Sequence, residues 1–179
     1  MRQFYTHRGG RVPAAGILRR AMAENKLLRI FLNDHLATSA AAAALARRSL
    51  RKNRGSELGR VLEELAAELE DDLGHLEETI RSYGLKPSAA KKAAGAFAER
   101  LGRLKLNGRI VSYSPLSRLA EIEGLSLLLA RSAACWRTLG AIGLEGAAPL
   151  AERAERRIQE LVPHRDAAAR LALGSEDVQ

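Results

Sequence analysis

Four long segments of the sequence repeat apolar residues every three or four positions, with helix-breaking residues between them. That spacing places the apolar side chains on one face of an α-helix. The predicted helices span 22–51, 57–83, 115–140 and 149–172. Alanine and leucine supply most of the apolar residues, β-branched residues are scarce, and no segment alternates apolar with polar positions. The sequence therefore predicts an all-α protein without a sheet.

The lengths of the breaks constrain how these helices are connected. Short turns precede the second helix, which Ser56 can cap, and the last helix, which Pro149 opens, so the helices within each pair are expected to be antiparallel. Some thirty residues separate the two pairs, and Pro87 followed by Ser88 opens a short additional helix that ends near 102. We expect a four-helix bundle with one long crossover that carries this short fifth helix.

The two ends of the chain differ in composition from its middle. Residues 1–21 hold five arginines, no acid and several glycines, which predicts a basic, flexible N-terminal arm. The alternative is that translation starts at Met22, where the first helical pattern begins. Residues 22–174 are long enough to bury a single hydrophobic core and form the one predicted domain. A polar, frayed tail is expected at 175–179.

Acidic residues are concentrated in one segment of a chain whose formal net charge is +8. Residues 57–80 carry nine acidic groups and one basic group, and they lie between basic stretches at 1–55 and 81–118. This pattern favours charge pairing within the fold. A basic surface that binds nucleic acid is the alternative, but aromatic residues amount to only 4% and no zinc-finger or RNA-binding motif is present.

Several classes of protein are disfavoured by what the sequence lacks. The single cysteine, Cys135, excludes an intramolecular disulfide and a cysteine-based zinc site. No segment has the roughly 18 consecutive apolar residues of a membrane span, and no secretion signal is recognisable, so a cytoplasmic protein is expected. Neither an activated nucleophile nor a phosphate-binding glycine loop is present, so no catalytic residue is predicted.

Carboxylates and histidines occur near the middle of the predicted helices, with Asp72 and His75 three residues apart in the second. Four-helix bundles use a carboxylate-x-x-His spacing to present metal ligands to their interior. Together with two helical hairpins joined by a long crossover, this motif resembles the ferritin-like superfamily over residues 22–172. The resemblance implies a di-metal site that takes a Glu from one helix and a Glu-x-x-His from its partner in each hairpin.

The metal ligands implied by the resemblance are spread over all four long helices. They are Asp34, Asp72, His75, Glu123 and His164. On a helical wheel Asp72 lies at the edge of the apolar face of its helix, whereas His75 lies well outside that face. The last helix lacks the second Glu-x-x-His, because Leu161 stands three residues before His164. We therefore expect an altered or lost di-metal site without a cofactor, with iron or manganese binding as the alternative.

One carboxylate interrupts the face of the helix at 115–140 that has the best apolar pattern. That face is Leu116, Leu119, Glu123, Leu127, Ala130 and Ala134. A buried carboxylate costs several kcal/mol unless it is paired or coordinated. Arg165 lies at the centre of the apolar stripe of the last helix. The sequence therefore predicts a buried ion pair between Glu123 and Arg165.

These features lead to three hypotheses about function. The preferred one is a ferritin-like bundle whose di-metal site is altered or lost and which acts as a non-catalytic stress or interaction module. The second is a carboxylate-bridged di-iron or manganese protein that oxidises a substrate or stores metal. The third is a basic bundle that associates with nucleic acid. The sequence does not specify a physiological partner, and a homo-oligomer is compatible with all three hypotheses.

Overall fold

A computed structural model describes residues 26–87 and 113–174. The helices in these two ranges are α1 (Lys26–Asn53), α2 (Glu57–Ser82), α3 (Pro115–Ala141) and α4 (Ala147–Leu173). No strand occurs in either range, so the all-α prediction is confirmed for the described part of the chain. The predicted basic arm at 1–21, the short helix beyond residue 87 and the tail at 175–179 lie outside the described residues.

Serine caps define where two of the helices begin. The side chain of Ser56 accepts a hydrogen bond from the backbone N–H of Gly59, and Ser114 accepts one from Ser117 in the same way. Each serine thereby satisfies one of the N–H groups that have no acceptor in the first turn of a helix. At the other end of α2, Gly84 has a φ of 73° in the left-handed region, as is typical of a residue just past a helix C-terminus.

The last helix begins earlier than its proline predicts. Gly146 precedes α4 with a φ of 76°, and the helix starts at Ala147, so Pro149 lies at its third position. A proline is tolerated there because the first backbone N–H groups of a helix have no intrahelical acceptor. The helix then continues through Pro163 to Leu173.

Contacts between α1 and α3 show that these helices are antiparallel. Arg131 donates a hydrogen bond to Thr38, and Ser49 donates one to Glu121, so later residues of α1 meet earlier residues of α3. The two helices approach closely, since a Cβ atom added at Gly124 would lie 3.3 Å from a methyl carbon of a leucine on α1. Small side chains on α1 permit this approach. Its buried alanines are Ala40, Ala41, Ala42, Ala43 and Ala46.

Contacts between α2 and α4, together with the short turns, give the relative directions of all four helices. Asp72 meets Arg153 and Glu68 meets Arg157, so α2 and α4 are antiparallel as well. Short turns make α1 antiparallel to α2 and α3 antiparallel to α4. It follows that α2 and α3 run in the same direction. The end of α2 and the start of α3 therefore lie at opposite ends of the bundle, and residues 83–114 connect them.

Leucine and isoleucine fill the interior between the four helices. The largest side chains with under 2% exposure are Leu32, Leu36, Leu45, Leu62, Leu65, Leu76, Ile80, Ile122, Leu125, Leu129, Leu139 and Leu161. Each contributes about 1.5–3 kcal/mol through burial, so apolar packing is the main force that holds the helices together. Within the described ranges, no helix has the length and apolar character needed to span a membrane.

Candidate functional site

The buried acidic side chain of α3 is Glu121, which is 5% exposed. Its Oε2 atom accepts hydrogen bonds from the hydroxyl groups of Ser49 at 2.5 Å and Tyr113 at 3.0 Å. Its Oε1 atom lies 3.2 Å from Nε of Arg48. Both oxygens of this carboxylate are thus engaged, and one guanidinium compensates its charge. Such compensation is what makes a buried carboxylate tolerable.

Asn53, the last residue of α1, links Ser49 and Tyr113 through hydrogen bonds. Its Nδ2 atom donates to the carbonyl oxygen of Ser49 at 2.8 Å and to the hydroxyl oxygen of Tyr113 at 2.9 Å. Burial raises the pKa of Tyr113, so its hydroxyl group stays protonated at neutral pH and remains a donor to Glu121. The cluster formed by these four residues and Arg48 joins the end of α1 to the start of α3.

A second buried carboxylate, Asp72, lies between α2 and α4 and is 4% exposed. The guanidinium of Arg153 donates a hydrogen bond to it and another, at 3.2 Å, to the exposed carboxylate of Asp71. Burial raises the pKa of Asp72, and the hydrogen bond from Arg153 opposes that rise. Arg153 therefore offsets part of the rise in the pKa of Asp72 that burial causes.

Four residues from Asp72 toward the start of α2, Glu68 makes a two-pronged ion pair with Arg157 of α4. Nε and Nη2 of Arg157 donate to the two oxygens of Glu68 at 2.8 and 2.5 Å. The same guanidinium also contacts Glu64 and Glu160. The hydrogen bond from Arg157 lowers the pKa of Glu68, so this carboxylate stays ionised. Two arginines of α4 thus bind a row of acids on α2.

Burial sets the protonation states of the imidazole of His35 and of the thiol of Cys135. His35 packs against the ring of Phe31, with 4.4 Å between ring centroids. Burial, aided by repulsion from Arg131, lowers the pKa of His35 to about 4, so the imidazole is neutral. Burial raises the pKa of the Cys135 thiol to about 12, which leaves it protonated and unreactive.

The residues predicted as metal ligands do not converge within the described ranges. Asp34, His75 and Glu123 are exposed, and His164 is half-buried near the end of α4. Only Asp72 is buried. No group of three or more His, Cys, Asp and Glu side chains among the described residues is arranged to hold a metal ion.

His75 lies on the outer side of α2, as its position on the helical wheel indicates. Its Nδ1 atom is 3.0 Å from the backbone carbonyl oxygen of Asp71 and 3.6 Å from a carboxylate oxygen of the same residue. The Asp72-x-x-His75 spacing that opened the metal hypothesis therefore points its two side chains in different directions. Asp72 faces α4, and His75 faces solvent.

The predicted ion pair between Glu123 and Arg165 is wrong. Both side chains are exposed, and Arg165 donates a hydrogen bond at 2.7 Å to the neighbouring Asp166 instead. The long apolar stem of Arg165 lets its guanidinium reach water from the edge of the helix face. Because α3 is apolar around most of its circumference, its sequence pattern does not determine whether the side of Glu123 or the side of Glu121 is buried.

Most of the face of α3 that the sequence predicts to be buried points outward, and Leu119 is its one buried residue. Leu127, at its centre, is 73% exposed. The true buried face contains the bulkiest side chain of the helix, Trp136, and it is formed by Leu119, Glu121, Ile122, Leu125, Leu129, Ser132, Ala133, Cys135, Trp136 and Leu139. The position of the only tryptophan was the signal that could have identified this face and, with it, Glu121. The arginines at 48, 153 and 157 were not recognised as partners of buried or half-buried acids.

Comparison of the chain with protein-family models, with curated proteins and with solved structures gives no match. The case for a function therefore rests on the arrangement of these side chains.

Proposed function

We propose that this protein is a helical bundle of ferritin-like topology that acts as a non-catalytic interaction module, with arginine in place of metal as the partner of its buried acids. One observation carries the proposal. The two carboxylates that are buried among the described residues, Glu121 and Asp72, each contact a guanidinium group, that of Arg48 and that of Arg153.

Arginine and a divalent metal ion compete for the same carboxylate lone pairs. A guanidinium is always protonated in proteins, so it also places a positive charge where a cation would have to bind. Glu121 has the further hydroxyl donors of Ser49 and Tyr113, which would have to turn away. The two acids also lie in different seams, Glu121 between α1 and α3 and Asp72 between α2 and α4, so they are not arranged to share an ion.

The directions of the helices support the ferritin-like part of the proposal. Two antiparallel hairpins in which α2 and α3 run parallel require a connection along the length of the bundle, which is the one-crossover arrangement. The titration states support the non-catalytic part. At neutral pH His35 is uncharged and Cys135 is protonated, and both buried acids are paired. The imidazole is therefore a weak base and the thiol a poor nucleophile.

The test is thermal unfolding with and without manganese(II), anaerobic iron(II) and zinc(II). An ion that binds only the folded state raises the unfolding midpoint, and the rise grows with the logarithm of its concentration relative to its dissociation constant. The proposal predicts that micromolar metal leaves the midpoint unchanged in the natural protein and in the Glu121→Gln and Asp72→Asn variants. The exposed residue of the same helix provides the matched control, Glu123→Gln. A rise in midpoint that is lost in E121Q or D72N but kept in E123Q would establish metal binding at the buried acids and would contradict the proposal.

A second candidate, association with nucleic acid, is favoured by one observation. Residues 47–60 carry six basic side chains and one acidic side chain, and Arg51, Lys52 and Arg54 are exposed. Fluorescence anisotropy with a labelled DNA duplex tests it, since phosphate contacts make affinity fall steeply with salt. Our first proposal predicts only weak binding that disappears at physiological salt. Tight DNA binding at physiological salt would establish the second candidate, provided that it is lost when Arg51 and Lys52 are both changed to glutamate.

A further inference from the structure

A cleft of about 160 Å³ opens at the end of the bundle where α1 ends and α2 begins. Leu58 of α2 and Ala168 of α4, both buried, supply apolar surface to it. Arg118 of α3 and His164 of α4 supply its basic groups, and the exposed Glu57 is its single acidic lining residue. The cleft therefore combines an apolar wall with two groups that can donate hydrogen bonds.

Arg118 differs from the other half-buried arginines of the described helices, because it has no carboxylate partner among the described residues. Arg48, Arg153 and Arg157 each contact at least one acid. Arg118 instead lies over the ring of Tyr113 at 5.7 Å, and its Nε atom is buried without a hydrogen-bond acceptor. The Nε atom of Arg153 is likewise buried without an acceptor, but the Nη2 atom of the same guanidinium contacts Asp71 and Asp72. A guanidinium in this position gains free energy when an anion binds beside it.

The electrostatic field at this end of the bundle also favours an anion. Residues 47–60 are strongly basic, and acids of the described ranges engage two of their six cationic side chains, Arg47 through Glu70 and Arg48 through Glu121. Clustered charge of one sign raises the local concentration of oppositely charged ligands.

We propose that this cleft binds a small organic anion, with its carboxylate or phosphate group at Arg118 and His164 and a short apolar body against Leu58 and Ala168. The volume sets the size of the ligand, since a cavity of about 150 Å³ holds one benzene molecule. The cleft borders the Glu121 cluster through Asn53 but uses neither buried carboxylate. The inference therefore holds whether or not the protein binds metal.

The experiment is a titration of the full-length, ¹⁵N-labelled protein followed by two-dimensional NMR. Benzoate and phenyl phosphate are the anionic probes and distinguish the two acid groups, and benzyl alcohol is the neutral probe of the same shape. At least one anion should bind saturably, with a dissociation constant on the order of 1 mM, and should shift amides at 53–58, 118 and 164–171. Benzyl alcohol should bind about tenfold more weakly or worse.

Matched variants assign the binding to the cleft. Arg118→Met should raise the dissociation constant of the anion about tenfold or more. Arg51→Met, at an exposed arginine of the same end of the bundle, should change this constant little. Arg118→Lys keeps the charge but not the planar fork and should fall between them, which preserves the test should R118M not fold. The proposal is overturned if neither anion saturates at tens of millimolar, if benzyl alcohol binds as well as the anions, or if the shifted amides lie elsewhere.

Discussion

The two seams between the helical hairpins both bury a carboxylate, but they compensate its charge in different ways. Between α1 and α3, Glu121 combines one guanidinium with the hydroxyl groups of Ser49 and Tyr113. Between α2 and α4, Asp72 relies on Arg153 among the described residues. In the first seam three side chains share the compensation of the charge, and in the second a single arginine provides it.

The spacing of the helices explains this difference. Alanines on α1 and Gly124 on α3 bring those helices close together, so a side chain as short as Ser49 reaches across. The backbones of α2 and α4 make fewer contacts, and the long side chains of Arg153 and Arg157 bridge them. Removing one arginine should therefore do more harm between α2 and α4 than between α1 and α3.

The largest expected loss of stability comes from breaking the ion pair between Asp72 and Arg153. Arg153→Met leaves Asp72 buried beside Asp71 without a cation, and it should destabilise the protein by about 3 kcal/mol. Arg48→Met should cost only about 1 kcal/mol, because Arg48 is partly solvent-screened and Glu121 keeps two hydroxyl donors. Urea denaturation measures both values. Equal losses in the two variants would refute the contrast between the seams.

Acid should weaken the α1–α3 seam through His35, which burial keeps neutral. The unfolded chain binds a proton at His35 below its ordinary pKa of 6.5, whereas the folded chain does so only near pH 4. Within that window the unfolded state carries more protons, so stability is full above pH 6.5 and falls as pH drops toward 4. The loss attributable to His35 approaches about 3 kcal/mol.

The difference in unfolding free energy between the natural protein and His35→Leu, followed from pH 7 to pH 4, isolates this contribution from that of the carboxylates. A difference that is constant across this range would show that His35 is not held neutral by the fold.

A smaller loss of stability is expected when one of the hydroxyl donors to Glu121 is removed. Tyr113→Phe removes a donor to Glu121 and an acceptor for Asn53, and it should destabilise by about 1–2 kcal/mol. Glu123→Gln, two residues along the same helix, should leave stability unchanged because its side chain is exposed. Chemical denaturation compares the two. If Y113F matched E123Q, the hydroxyl network would have no energetic role.

The helices were predictable from sequence because their ends are marked by residues with strong local preferences. Ser56, Ser114 and Gly84 lie where capping rules put them, and the predicted limits of α2 and α3 are correct to within one residue. The start of α4 was less accurate. Gly146 ends the preceding turn in a left-handed conformation, and this overrides the signal from Pro149.

The partners of the buried acids were not predictable in the same way. Apolar residues surround most of α3, so periodicity could not decide between Glu121 and Glu123, and only packing against α1 resolves it. On α2, Asp72 was correctly placed near the core face. Its partner, Arg153, lies 81 residues along the chain, and no local rule connects such positions. Which arginine meets which acid depends on how far apart the helices pack.

The central claim, that arginine holds the buried acids of this bundle, is tested most directly by a double-mutant cycle on Asp72 and Arg153. The free energy of unfolding is measured for Asp72→Asn, Arg153→Met and the combined variant. The account predicts a favourable coupling of about 2–3 kcal/mol, with the double variant more stable than the sum of the single losses implies. Additive losses, with no coupling between the two positions, would contradict it.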